Sequence, residues 1–198
     1  MRKGKLTRRG SKRRKQLMDA ALRQFAFAGY HGTTVGDICD ELGVGKGVFY
    51  WYFDSKDELF AELLRTTLYQ LRRAQEDAIG KTKDPVERID QGIRASIRFF
   101  RENPGYVQLL RTAARYEQFA AELEHGQEVV TADTAMHIKA GMSEGRFRHG
   151  DPELMAHGIL GAVFHFVETY FGIDGEVSHD RPELEEEAAA FCLRGVLE

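Results

Sequence analysis

Residues 33–58, TTVGDICDELGVGKGVFYWYFDSKDE, constrain the fold more than any other stretch of the chain. Thr34 followed three positions later by Asp37 is a capping box: the hydroxyl accepts from a backbone N–H of the first turn while the carboxylate reaches back to the cap. Val35, Ile38 and Leu42 recur at helical spacing and give a short helix one apolar face. Gly43 falls where a helix ends in the left-handed conformation that glycine adopts most readily. Val48, Phe49, Tyr50, Trp51, Tyr52 and Phe53 then form an aromatic-rich run too bulky to bury on every side. Ser55 and Glu58 repeat the capping box and open the next helix. Two short helices joined by a glycine turn spell a helix-turn-helix, whose second helix enters the major groove of DNA.

The rest of the chain reads as helix, with no strand alternation and no repeat. A first helix over about 11–28 places Leu17, Ala20, Ala21, Phe25 and Ala28 on one stripe and closes at Gly29. Helices follow near 35–42, 46–52 and 56–79, the last ending at Gly80. Asp84-Pro85 is a cap with proline at the first helical position and opens a helix to about Glu102. Asn103-Pro104-Gly105 breaks it. Further helices are expected near 105–114 and 116–143, from Asp151-Pro152 to Gly172, and from Pro182 to about Leu197, with a loop over 173–181. The predicted fold class is all-α, with about nine helices. A flexible basic arm (1–10) and a helix-turn-helix unit (11–55) precede a larger helical part (56–198).

Charge is segregated. Residues 1–15 hold nine bases and no acid, leaving 19 bases against 31 acids in the remainder, so the net −3 conceals a basic end. Ahead of a helix-turn-helix, Arg8, Arg9, Lys12 and Arg13 are expected to track DNA phosphates or enter the minor groove. Cys39 and Cys192 are isolated and match neither a disulfide framework nor a zinc spacing; Cys39 reads as a small buried residue. No apolar run approaches the roughly 18 residues of a membrane span, and the basic N-terminus lacks a signal peptide's apolar stretch. A cytoplasmic location without membrane contact is expected.

Residues 17–60, LMDAALRQFAFAGYHGTTVGDICDELGVGKGVFYWYFDSKDELF, resemble the tetracycline-repressor (TetR) family of regulators. They share its Ala-Ala helix, Phe before Gly-Tyr, Thr-Thr capped helix, Gly-Val turn and Tyr-x-x-Phe-x-x-Lys. The resemblance implies a reading helix in which Lys46, Gly47 and Val48 approach base edges. It also implies phosphate contacts from Tyr50 and Tyr52, anion-favouring helix starts at Thr34 and Lys56, and inward-facing Phe49 and Phe53. Lys46 suits guanine, whereas Val48 or Trp51 suits a thymine methyl. Gly45 and Gly36 depart from the pattern, since serine is common at the first and a basic residue at the second. The family pairs two subunits through the last two helices and binds a small molecule in the larger domain.

Other chemistries fit less well. GVGKG at 43–47 is no phosphate loop, because Asp40 and Gly47 stand where glycine and a hydroxyl residue are needed. His157, His165 and Glu168 share a helix face without a second ligand-dense segment, so no metal is expected. No nucleophile stands in a recognisable catalytic setting, and neither an enzyme nor a cofactor is expected. The apolar groups Phe100, Tyr106, Leu110, Tyr116, Phe119, Met136 and Phe166, with His137 and His165 as polar handles, are expected to line a pocket for a lipophilic effector. Arg111 and Arg115 are candidate anchors for an acid. Gly158, Gly161 and Ala162, with Ala188, Phe191 and Cys192 of the last helix, are expected at a homodimer interface. The expected function is a homodimeric repressor released from a palindromic operator by its effector. An activator, a ligand-independent DNA-binding protein, or a helical enzyme or carrier are the alternatives.

Overall fold

The computed structural model describes residues 7–171 and 181–197. Residues 1–6 of the expected arm, and all but Arg181 of the expected 173–181 loop, lie outside the described residues. Nine α-helices form within them: α1 Arg8–Gly32, α2 Val35–Glu41, α3 Lys46–Tyr52, α4 Lys56–Ile79, α5 Pro85–Glu102, α6 Pro104–Ala113, α7 Ala120–Ser143, α8 Pro152–Phe171 and α9 Leu184–Arg194. A 3-10 turn, Glu117–Phe119, precedes α7.

Local chemistry sets most of the boundaries. The Thr7 hydroxyl accepts from the Gly10 amide and starts α1 three residues before the expected position, so Arg8, Arg9 and Gly10 belong to the helix rather than to a flexible arm. At Gly29 (φ 74°) α1 kinks, and the Thr33 amide and hydroxyl both return to the Gly29 carbonyl. Asp84 caps α5 through the amides of Val86 and Glu87, and Pro85 costs nothing at a position whose N–H would be unpaired. The helix expected over 116–143 starts later, at Ala120. Tyr116 is extended (φ −124°, ψ 116°) and turns its ring away, onto α1. α9 is shorter at both ends than expected, and at its C-terminal end Gly195 and Val196 turn the chain back. There the Arg148 amide donates to Val196, and Phe147 bridges Leu197.

Two layers of packing share one core. Leu17, Ala20, Ala21 and Phe25 of α1 close over Ile38 and Cys39 of α2 and Phe49 and Phe53 near α3, all buried. In the larger part α5 is central and is touched by α4, α6, α7, α8 and α9. Its Ile89, Ile93, Ile97 and Phe100 recur at i, i+4, i+8 and i+11 and are buried. α4 contributes Leu59 and Phe60 to one end and Leu63, Leu64 and Thr67 further along, and so spans both parts. α8, 20 residues long, holds an 18-residue window with a mean hydropathy of 1.2, long and apolar enough to cross a membrane, and 33% of that window is buried. Its outer face exposes Leu154, Gly158, Gly161 and His165, one stripe at helical spacing.

Candidate DNA interface and interior cavity

The α2–α3 unit is held from below and open above. Thr34 and Asp37 complete the reciprocal cap, with the Thr34 amide donating to the carboxylate (2.7 Å) and the Asp37 amide to the hydroxyl (3.2 Å). The Thr34 amide first, then its hydroxyl, hold the Asp37 carboxyl below its usual range, and Lys46 adds to this. After Gly43 (φ 63°) the chain reverses, and Gly45 begins α3 with no side-chain cap. Phe49 and Phe53 are wholly buried, which turns Tyr50 (53% exposed) and Trp51 (63%) outward. Lys46 and Gly47 are exposed and Val48 is half-buried. Gly36 is buried beneath the Lys46 side chain: a Cβ there would meet Lys46 Cε at 3.3 Å and Thr34 Oγ1 at 3.2 Å.

Two expected phosphate contacts are placed otherwise. Tyr52 is buried at 8% exposure, because it lies three residues after Phe49 and shares its inward face. Lys56 turns inward: its ammonium donates to the carbonyls of Tyr30 (2.6 Å) and Thr33 (2.7 Å) and lies 4.3 Å above the Tyr30 ring. It thus satisfies carbonyls at the end of α1 that no helix bond can reach. On α1, Arg8, Arg9 and Lys12 are exposed and Arg13 half-buried, none with an ion pair among the described residues. Arg14 is committed instead to Glu62 (3.1 Å) and to the face of Phe53.

The residues expected around an effector scatter over three places. Phe119 stacks on Phe60 (4.2 Å) and meets Tyr30 (5.3 Å), while Tyr116 packs on Tyr30 and His31; these rings join the reading unit to the larger part. Tyr30 also donates to Asp57, which accepts from Gln118 at 3.1 Å. Phe100 and Leu110 are core residues, and Tyr106 stacks on Phe99 with its hydroxyl bonded to Gln70 (3.0 Å). His165 is exposed, and Phe166 meets the Phe191 ring at 5.9 Å. Only Met136 and His137 of the nine line the cavity of about 330 Å³ between α4, α5, α7 and α8. Large rings fill volume themselves, whereas space remains where the small residues Gly80, Gly92 and Ser96 share the wall with branched side chains such as Ile89, Ile93 and Val163. Arg111 lies near Glu168 (3.4 Å) and Arg115 is exposed, so neither lines that cavity.

Of the expected interface residues, Gly158, Gly161 and Phe191 (62%) are exposed and Ala162 is half-buried, beside Leu154 (70%). Ala188 and Cys192 point inward within the chain, where burial pushes the Cys192 thiol up to about 11. His157 and His165 are both exposed, and the described residues hold no group of three or more His, Cys, Asp or Glu side chains placed to share a metal.

Sequence profiles place both parts of the chain. Residues 17–63 match that of the bacterial regulatory proteins of the tetR family, and residues 82–196 match a tetracyclin repressor-like C-terminal domain. The chain belongs to the TetR family. As a TetR-family member it is a DNA-binding transcriptional regulator and not an enzyme. The transcriptional repressor KstR2 of Mycobacterium tuberculosis is 33% identical over 143 residues, covering 69% of this chain and 70% of that protein. Its solved structure, described as a ketosteroid transcriptional regulator, covers 98% of each chain at 25% identity with a TM-score of 0.75. The fatty acid degradation regulator FadR of Bacillus halodurans shares the fold, with a TM-score of 0.82 at 18% identity over 92% of this chain and 95% of that one.

Three features of this TetR-family chain carry no signal in its sequence. Arg88 on α5 lines the cavity beside His137, 49 positions away in the chain. Gln118 ties the segment before α7 to Asp57 at the start of α4. Gly36, noted only as a missing basic residue, makes room for Lys46 to cross α2. Each depends on a contact between elements, which no local pattern encodes.

Proposed function

We propose that two copies of this chain pair through α8 and α9 and repress transcription from a palindromic operator. A small, largely apolar molecule in the α4–α5–α7–α8 cavity releases them. The observation that carries the DNA reading is the outward face of α3: Lys46, Gly47, Tyr50 and Trp51 stand exposed on a helix pinned from beneath by Phe49, Tyr52 and Phe53. A helix presented so can enter a major groove, with Lys46 donating to guanine and Trp51 against a thymine methyl. Tyr50 supplies a hydroxyl for a phosphate, and Arg8, Arg9, Lys12 and Arg13 supply charge, whereas the Thr34 hydroxyl already donates to Asp37 (2.7 Å) and fixes the start of α2. The reading unit then runs to Ser55, and residues from Lys56 onward serve effector binding and pairing.

Pairing is supported by the apolar surface of α8, by the exposed Leu154 near its start and Phe191 on α9, and by Gly158 and Gly161, where a second helix can approach closely. A two-fold pair would set its reading helices about 34–36 Å apart, one turn of DNA. A membrane is the poorer match for α8, since His157, His165 and Glu168 interrupt it. Repression and an apolar effector draw support from the names of relatives: KstR2 is a repressor whose structure is described by ketosteroid, and FadR by fatty acid degradation. On this reading the protein works where the DNA is, in the cytoplasm. The test is duplex binding, using a palindrome that the wild-type protein selects from a random pool. Tyr50→Ala and Trp51→Ala should each weaken binding at least tenfold with unchanged circular dichroism; full binding by both would remove α3 as the reading helix.

A further inference from the structure

The wall of the α4–α5–α7–α8 cavity is electrostatically uneven. Ile79, Ile89, Ile93, Ile159, Leu160 and Val163 make it largely apolar. Among its charged groups, Arg72 is matched twice, by Asp133 (2.9 Å) and Glu76 (3.1 Å), so neither carboxylate awaits a cation. Gln75 donates to Ser96 (2.9 Å), which donates to the Gly92 carbonyl (2.7 Å), closing a neutral chain. Arg88 differs. Its Nε donates to His137 Nε2 (3.3 Å) and its Nη1 to the Thr82 carbonyl (2.7 Å), and no carboxylate pairs with it among the described residues.

Those bonds use two of five N–H groups, leaving much of the guanidinium fork available. Both partners are uncharged. His137 accepts from Arg88 and is therefore neutral, and burial first, then the Arg88 charge, lower its pKa. A half-buried cation without a counter-ion is costly unless an anion reaches it, and a planar fork suits a carboxylate in particular. One unmatched cation selects a monoanion; a phosphate dianion would find no second one.

We propose that the cavity binds a small monoanionic carboxylic acid, its carboxylate on the Arg88 guanidinium and its apolar body along Ile89, Ile93, Ile159 and Val163. This rests on the reading of the cavity as the effector site and names the effector's class. The volume of about 330 Å³ is roughly twice that of the ~150 Å³ apolar cavity that holds benzene, which suits an acid of about ten to thirteen heavy atoms.

The test is calorimetry on the full-length protein without DNA, with two matched pairs of probes: octanoate with octanol, and naphthoate with naphthol. Each acid should bind about tenfold or more tightly than its alcohol. Arg88→Met should abolish that preference by weakening acid binding far more than alcohol binding, and Arg88→Lys should keep part of it. Should Arg88→Met fail to fold, Arg88→Lys and Arg88→Gln carry the same comparison. Equal binding of acid and alcohol, a preference that survives loss of Arg88, or no binding by any of the four would overturn the proposal. Release from the selected duplex is measured separately. If an acid binds through Arg88 but does not release DNA, the effector reading fails and the acid site stands. If acids release DNA equally from Arg88→Met, the acid site fails and the effector reading stands.

Discussion

The ammonium of Lys56 lies 2.6 Å and 2.7 Å from carbonyls at the end of α1, a position where a lysine would otherwise face DNA. Replacing it with methionine should cost about 1.5 kcal/mol in urea melts, the low end for a charged hydrogen-bonding group, because the site is only half-buried. The same variant should leave the slope of log affinity against log salt unchanged; a fall of about one unit would mark Lys56 as a phosphate contact. Thr67 presents the opposite case. Its hydroxyl is buried and has no hydrogen-bond partner among the described residues, so Thr67→Val, which keeps the shape, should raise stability by about 1 kcal/mol in the same melts. Tyr50 and Tyr52 are equally aromatic and two positions apart, yet one faces out and one in. Their spacing from Phe49 decides this, and that much was readable once the helix was assigned. The inward turn of Lys56 was not, because Tyr30 and Thr33 lie 26 and 23 positions away.

At the scale of elements, caps and breakers carry most of the design. Thr34–Asp37, Ser55–Glu58 and Asp84-Pro85 stand where the chain's own hydroxyls and carboxylates can satisfy first-turn amides, and each opens a helix there. Contacts between elements follow a different logic. Gly141 lies inside α7, where alanine would be a better helix former by about 1 kcal/mol. A Cβ at that position would collide with the buried Phe147 ring, which holds the turn after α7 against the end of α9. Gly141→Ala should therefore destabilise the protein by about 1–3 kcal/mol despite the gain in propensity, as thermal or urea melts would show. A gain in stability would mean that Phe147 has somewhere else to go.

For the whole molecule, the exposed α8–α9 surface and the segregated charge make complementary predictions. Phe191→Asp should convert a dimer to monomers in light scattering, with circular dichroism unchanged and duplex affinity reduced. Stability should also depend on pH at both ends. The folded pKa of His137 is depressed by burial, so its contribution is present above the ordinary value near 6.5 and is lost as pH falls through the lower folded value. Tyr30 is raised, first by burial and then by its hydrogen bond to Asp57; its contribution is complete below the ordinary value near 10 and is lost as pH rises beyond it. Urea melts across pH should show a plateau between these limbs, with His137→Gln flattening the acid limb and Tyr30→Phe the alkaline one.

The amino-acid order by itself determined the helices, their caps, the glycine turn and the family, because each depends on groups within a few positions of one another. Only the tertiary structure decided which aromatic rings fill space and which surround it. Nine residues chosen for bulk or polarity yielded two at the cavity, since a cavity forms where large side chains are missing. It also decided which cations are free. Arg14 and Arg72 are matched by acids, Lys56 by carbonyls, and among the described residues Arg88 meets only an uncharged histidine and a carbonyl. Charge counted along a chain is local, but neutralisation depends on what folding brings within a few ångströms.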